Sequence, residues 1–145
     1  MKPEAHRLDP ATYPSRLVVP VRFGDLDPLG HVNNVSFGSY VEEGRAALNR
    51  LAFPKTMRQE QRLRIVIADV HIAYLAEAHY PGEIEVLSGV GHIGRSSYRI
   101  DSALFQKGQC IAVAESVLVN TRDQVPASLP QSAREALETV LTRPA

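Results

Sequence analysis

Tryptophan is absent from this 145-residue chain, and cysteine occurs once, at Cys110. A single thiol permits no disulfide within the chain. Cys110 lies in the apolar run Cys110-Ile111-Ala112-Val113-Ala114 and reads as a small core residue, the usual place of a free cysteine. No stretch approaches ~18 consecutive apolar residues, so no membrane-spanning helix and no membrane partner are expected. Net charge is missing too: 16 Lys plus Arg stand against 16 Asp plus Glu. Nucleic-acid binding draws on a basic surface that displaces phosphate counterions, and this balance argues against it. Met1 to Pro14 lacks the apolar centre of a signal peptide, so a cytoplasmic location is expected.

The length suits one compact domain spanning 1–145, burying roughly 68–70% of its extended surface. Residues 1–15 hold three prolines and scattered charge, and read as a loose N-terminal arm. Arg16 to Phe23 is rich in β-branched residues and predicts a strand. Pro20 lacks an N–H, which places that strand at an edge or a bulge. Gly24 to Asn34 is turn-rich. A helix over 34–53 follows, with Phe37, Tyr40, Val41, Gly44, Ala47, Leu48 and Leu51 forming one stripe. Asn33 or Asn34 suits its N-cap, and Pro54 stops it.

The period then changes to two. Val70, Ile72 and Tyr74 alternate with His71, Ala73 and Leu75; Ile84 and Val86 alternate with Glu83 and Glu85. Tyr98, Ile100, Ser102 and Leu104 alternate with Arg99, Asp101 and Ala103. Ile111, Val113, Val117 and Val119 are expected to share one face of a last long strand, with turns at Gly82, Gly94 and Lys107-Gly108. A short C-terminal helix is expected within 129–142, its apolar pattern running from Leu129 to Leu141 and Pro130 in its first turn. One long helix followed by a run of strands implies an α+β fold with an antiparallel sheet around that helix.

Two acids, a histidine and two amides crowd into Asp25-Leu26-Asp27-Pro28-Leu29-Gly30-His31-Val32-Asn33-Asn34, just where the helix begins. Attack on a carbonyl needs a base or nucleophile at carbon and donors aimed at oxygen. The first N–H groups of a helix have no partners within it, and the macrodipole places roughly half a positive charge there. Asp27 lies close enough to serve as nucleophile or as base for a water, and Gly30 lets backbone approach without a Cβ. Taken singly, Asp25 and Asp27 also read as turn residues, His31 as a loop histidine, and Asn33 and Asn34 as caps. Asp25, Asp27 and His31 suit a divalent cation, but no second cluster completes a metal site. Neither metal nor cofactor is expected.

Taken together, Asp25-x-Asp27-x-x-Gly30-His31-Val32-Asn33-Asn34, followed by Tyr40-x-Glu42-Glu43-x-Arg45, resembles the acyl-CoA thioesterases of the 4-hydroxybenzoyl-CoA thioesterase superfamily. The stretches Val70 to Ala78, Tyr80-Pro81-Gly82-Glu83, Ile93 to Tyr98 and Ile111 to Val119 extend the likeness over about residues 16–122. The resemblance implies a hotdog fold, with a five- or six-stranded antiparallel sheet wrapped around one long central helix. It implies a homodimer joined sheet edge to sheet edge, or a homotetramer of such pairs, with sites at the subunit interface. It implies catalysis by Asp27, with the Asn34 backbone amide as oxyanion donor, Gly30 shaping the loop, and His31 and Asn33 lining the site. Arg95, Ser96 and Ser97 fall near where relatives contact the CoA arm. The implied activity is acyl-CoA hydrolysis; hydrolysis of an acyl-carrier-protein thioester and non-catalytic acyl-CoA binding are the alternatives.

The chain departs from that pattern in two places. The branch specialised for hydroxybenzoyl substrates commonly has apolar and aromatic residues where this chain has His31-Val32-Asn33-Asn34, which favours an aliphatic or general acyl group. Gly38 stands inside the helix where relatives carry a larger apolar residue, either to open space for an acyl chain or to allow a tight helix–sheet contact. Glu42 and Glu43 are reserve candidates, since some hotdog enzymes use an acid on the helix. His71, His79 and His92 read as strand or turn positions. Lys55, Arg58, Arg62 and Arg64 read as a solvated loop, with contact to CoA phosphates as the rarer alternative.

Overall fold

The computed structural model describes residues 2–143. Its long helix, α1, spans Asn34–Ala52. Asn33 caps it: the side-chain Oδ1 accepts the Val35 N–H at 3.0 Å, satisfying one orphan donor of the first turn. Phe37, Tyr40, Val41, Gly44 and Leu48 of the expected stripe are buried, each large apolar side chain contributing about 1.5–3 kcal/mol. Leu51 is not: it is 60% exposed, whereas Ala52 and Arg45 are buried instead. Leu51 sits at the margin of the stripe, where the helix surface turns to solvent. Past Pro54 a short helix, α2, spans Lys55–Glu60, so part of the basic cluster read as loop is helical.

Five main strands form the sheet: β1 Ser15–Pro20, β2 Ile65–Tyr74, β3 Glu83–Ile93, β4 Ser97–Gln106 and β5 Gln109–Arg122. The short β6, Val125–Pro126, pairs with β5 and makes a sixth. The order is β1-β3-β4-β5-β2, and every pairing is antiparallel. With α1 against one face, this is the hotdog arrangement. β1 and β2 are the two edges of that path, which accommodates Pro20 at the end of β1. The expected first strand ran on to Phe23, but Phe23–Asp25 is a 3-10 turn.

The side chains between α1 and the sheet form two apolar clusters. Val41, Val86, Leu104 and Ala114 belong to the one near the start of α1; Leu48, Tyr98, Ile100 and Leu118 belong to the one near its end. A polar seam of Ser88, Ser102, Ser116 and Arg45 is buried in the same layer. Ser88 and Ser102 bond each other at 3.1 Å. Arg45 Nη1 donates to Ser116 Oγ at 3.2 Å, and burial pulls its guanidinium below the usual arginine range.

Two expectations about faces and ends are corrected. Ile111 packs in the helix-side cluster together with Ala112 and Ala114, while Val113 faces the outer cluster. The register shift opposite Leu104 and Phe105 inserts an extra residue, and such a bulge resets the alternation. The C-terminal helix, α3, covers only Gln131–Glu138, with Pro130 as its N-cap rather than within its first turn. Leu129, Ala133, Leu137 and Val140 seal the far end of the core.

The N-terminal arm is not loose. It forms 3-10 turns at Ala5–Leu8 and Pro10–Thr12 and lies on the outer face of the sheet. There Tyr13 packs with Leu87, Ala103, Phe105 and Val113, and burial pushes its hydroxyl up to about 12. Arg7 Nη1 donates to Glu115 Oε1 at 2.7 Å. Apolar contact and a half-buried ion pair outweigh the proline-rich composition. None of the described helices is long and apolar enough to cross a membrane.

Gly44 and Gly38 differ sharply in surroundings. A Cβ on Gly44 meets Val86 Cγ1 and sits 3.0 Å from Ser88 Oγ, whereas a Cβ on Gly38 meets nothing within 4 Å. Gly44→Ala should therefore lose about 1–3 kcal/mol to overpacking, against roughly 1 kcal/mol of regained helix propensity. Gly38→Ala should gain about 0.5–1 kcal/mol. Urea denaturation measures both, and shifts in the same direction would contradict this packing.

Candidate active site

The loop ahead of α1 is held by one buried carboxylate. Asp25 is 3% exposed. Its Oδ2 accepts the Arg22 N–H at 2.9 Å and the Tyr40 hydroxyl at 2.8 Å. Its Oδ1 accepts Arg22 Nη2 at 2.9 Å and Nε at 3.2 Å. The Asp25 carbonyl in turn accepts the Asn33 N–H at 2.8 Å and Ser36 Oγ at 3.0 Å. Burial alone would raise this carboxyl, but the bonds from Arg22 and Tyr40 outweigh it and hold it below the usual carboxylate range. Tyr40 shifts the opposite way, raised by burial and by its bond to the charged Asp25. Asp25 is thus a structural anchor, the first acid of the motif consumed in placing the second.

Asp27 follows in a tight turn. Gly30 N–H donates to the Asp27 carbonyl at 3.0 Å, and Asp27 N–H to the His31 carbonyl at 2.8 Å. Pro28 and Gly30 suit the second and fourth places of such a turn, and Gly30 has φ +85°. That backbone angle is what calls for glycine here, since a Cβ would meet nothing within 4 Å. The Asp27 side chain is half-buried. Its Oδ1 accepts the Leu29 N–H at 2.9 Å and the His31 N–H at 3.2 Å; Oδ2 has no bond among the described residues. The turn reading of Asp27 holds: one oxygen is fixed by backbone amides, and the other is unbonded among the described residues.

At the helix start, the Val35 N–H is taken by the Asn33 side chain and the Ser36 N–H by the Asn33 carbonyl. The Asn34 N–H has no acceptor among the described residues. Asn33 therefore acts by building the turn that leaves its neighbour's amide free. Val32 N–H donates to the Ala78 carbonyl at 3.2 Å, bringing the segment after β2 against the loop. His31 Nε2 lies 3.6 Å from Glu77 Oε2, and its ring is 6.2 Å from that of His79, edge to face. Glu77 and His79 are site neighbours that local sequence did not reveal, because only the long-range Val32–Ala78 contact places them here.

Arg95, Ser96 and Ser97 are elsewhere. They lie at the β3–β4 turn, with Ser97 opening β4 beside Tyr98, whose hydroxyl donates to Asn49 Oδ1 at 2.7 Å near the end of α1. Arg95 Nη1 donates to Ser128 Oγ at 2.7 Å. The 19 residues of α1 span about 28 Å, so one chain does not bring this turn to Asp27. Glu42 and Glu43 are exposed on α1 and line a separate cavity of about 420 Å³ with Arg22 and Tyr40. A second, of about 450 Å³, lies under the N-terminal arm between Arg7, Arg99 and Glu115. Neither of these two is lined by Asp27. Among the described residues no group of three or more His, Cys, Asp or Glu is placed to hold a metal ion.

The family model of the Thioesterase-like superfamily matches residues 21–137. A thioesterase from Thermus thermophilus, solved in complex with coenzyme A and Zn, is 34% identical; the match covers 92% of this chain and 98% of that one, with TM-score 0.81. A predicted thioesterase from Bacillus stearothermophilus is 27% identical over 90% and 98% of the two chains, with TM-score 0.80. The DHNA-CoA thioesterase from Staphylococcus aureus shares the fold at 18% identity, covering 86% and 89%, with TM-score 0.75. No curated protein matches the sequence.

The anchor makes a pH-dependent contribution. Because the folded Asp25 carboxyl is depressed, its stabilisation is complete above the unfolded carboxylate pKa of about 3.9. It is lost as pH falls below that and through the lower folded value. Asp25→Asn leaves one acceptor oxygen for several donors, so it should cost about 1–3 kcal/mol at pH 7. It should also flatten the acid limb of a stability–pH curve measured by denaturant. An acid limb as steep as wild type would show that Asp25 is not this group.

Proposed function

The chain belongs to the Thioesterase-like superfamily, and on that premise we propose that it hydrolyses an acyl-CoA thioester to the free acid and CoA. The observation that carries this reading is the pairing of two uncommitted groups at one helix start: Asp27 Oδ2 and the Asn34 N–H. The Thermus relative's complex with coenzyme A supports a CoA-type substrate.

The thioester carbonyl oxygen docks on the Asn34 N–H, where the macrodipole adds to the donor. A donor of this kind contributes ~2.7–4 kcal/mol as the oxygen becomes negative. Asp27 then acts by either of two balanced routes. As a base, it takes a proton from water while the water oxygen attacks the carbonyl carbon; the tetrahedral oxyanion collapses, the C–S bond breaks, and the CoA thiolate leaves and takes up a proton. As a nucleophile, it forms an acyl–Asp27 anhydride with loss of the thiolate, and water then cleaves the anhydride. The Oδ1 bonds hold the carboxylate in one orientation for both. His31, flanked by Glu77 and His79, supplies polar lining beside it.

A second copy completes the site in this reading. β2 is an edge strand, and Val66, Ile67, Val70 and Tyr74 on it are exposed, an unprotected edge of the sort proteins normally cover. Antiparallel pairing of two β2 strands about a twofold axis sets the start of one α1 toward the end of the other. That brings the Arg95–Ser97 turn of the second copy toward the Asp27 loop of the first, along with the basic residues in and after α2. Those exposed cations, Lys55, Arg58, Arg62 and Arg64, favour a phosphate-bearing CoA arm. They also keep open a second reading, in which an acidic acyl-carrier protein delivers the thioester.

An acyl-CoA panel with thiol release as readout tests the activity. Asp27→Asn should lose about 10²–10⁴-fold in kcat while melting as wild type, because asparagine still offers an oxygen to Leu29 and His31. Full turnover in that variant would remove Asp27 from the chemistry. Ile67→Asp should turn a sedimenting dimer into a monomer and abolish turnover; an active monomer would refute the shared site. Matched CoA and carrier-protein substrates at low and high salt separate the two delivery modes.

A further inference from the structure

We infer that Gly38 is a specificity-determining residue: its missing side chain forms the notch on α1 in which the straight acyl chain of the substrate lies. The inference rests on the thioester reading of the same site and adds where the acyl group goes.

Gly38 follows Asn34 by one helical turn and shares its flank, about 6 Å along the axis. That flank looks toward β2. The Tyr74 hydroxyl donates to the Asn34 carbonyl at 3.3 Å, and the Phe37 and Tyr74 rings meet at 5.3 Å. Farther along, Arg45 on the same side bonds Ser116, whose register partner on β2 is Val70. Tyr74 therefore borders the flank at its start, and Val70 lies on β2 at the level of Ser116, both partly exposed apolar side chains.

The two helix glycines answer different needs. Gly44 is pressed against Val86 and Ser88, but a Cβ on the half-buried Gly38 would meet nothing within 4 Å. Glycine inside a helix weakens it relative to alanine, and no contact within the chain requires it at 38. A tight contact with this chain's own sheet is thus not what requires glycine here, and the space beside Gly38 is left open. A thioester whose oxygen sits on the Asn34 amide directs its acyl chain along this flank into that space. The other end is closed by Arg45, whose guanidinium is buried with Ser116 and 4.0 Å from Glu42. An apolar chain gains nothing by running into a buried charge. Gly38 and Arg45 are about 10 Å apart along the axis, so the notch suits a short or medium unbranched acyl group.

The test uses full-length protein and a ladder of acetyl-, hexanoyl-, decanoyl- and palmitoyl-CoA. Each acyl-CoA is read twice: as kcat/KM for thiol release, and as the rise it gives in melting temperature, which follows binding alone. Gly38→Leu should lower the decanoyl-to-acetyl ratio at least tenfold in kcat/KM and shrink the decanoyl-dependent rise in melting temperature. Gly38→Ala should fall between it and wild type while melting higher without ligand, so misfolding does not explain the result. Asp27→Asn should instead lower turnover for all chains by one common factor. Hydrolysis with the same length ratio in wild type and both Gly38 variants overturns the inference and leaves the hydrolytic reading standing. A length-dependent melting shift that Gly38→Leu removes, without hydrolysis by wild type, does the reverse. Absence of both binding and hydrolysis overturns both.

Discussion

The geometry at the head of α1 depends on the buried Asp25 carboxylate. It joins the chain before the Asp27 turn to the helix that follows it and carries the Asn34 amide. Tyr40 reaches it from within the helix, Arg22 from the chain after β1, and its own backbone carbonyl receives the residue before the helix. The side chain and backbone of this one residue thus tie three segments together, and the carboxylate's bonds offset the cost of burying it. The remaining groups can then be few and partly exposed, because their positions are already set.

In the proposed reading the site is shared between two copies. The core lies between α1 and the sheet and between the sheet and the N-terminal arm. Nothing among the described residues covers the free side of β2, where exposed apolar residues adjoin the head of α1. Chemistry that gains from excluding water needs another wall there. A second copy supplies one and satisfies the edge in the same step, so association and site closure are a single requirement in the proposed reading.

Features that local rules govern were legible in the sequence. The cap at Asn33, the stop at Pro54 and the alternation through β4 depend on neighbours a few residues away, and each was found where expected. Features that depend on distant contacts were not. The arm reads as loose because nothing in its first fifteen residues announces that Arg7 pairs with Glu115, 108 positions on. Ile111 reads as an odd-numbered strand residue because a bulge is a property of two paired strands, not one. Arg95 to Ser97 resemble site residues by family position, and local sequence does not reveal that the length of α1 separates them from Asp27 within one chain, leaving a second copy to bring them together in the proposed reading. Glu77 and His79 lie in a stretch whose local signal is only that of a turn.

Asp25 and Asp27 show where such reading reaches its limit. They are the same residue type, two positions apart in one turn, and composition and spacing treat them alike. The fold separates them by burial and by donors. Asp25 has both oxygens engaged and is held ionised by what surrounds it, so it has no lone pair to offer a substrate. Asp27 has one oxygen engaged by two backbone amides and the other unbound among the described residues. A carboxylate with both oxygens free would swing between rotamers, and one with both engaged would be inert. The half-engaged state is fixed in direction and still open to attack or to accept a proton, and it arises from Asx-turn bonds that Asp forms readily ahead of a helix. In the proposed reading, the property that makes Asp27 look like an ordinary turn residue is therefore what fits it for chemistry.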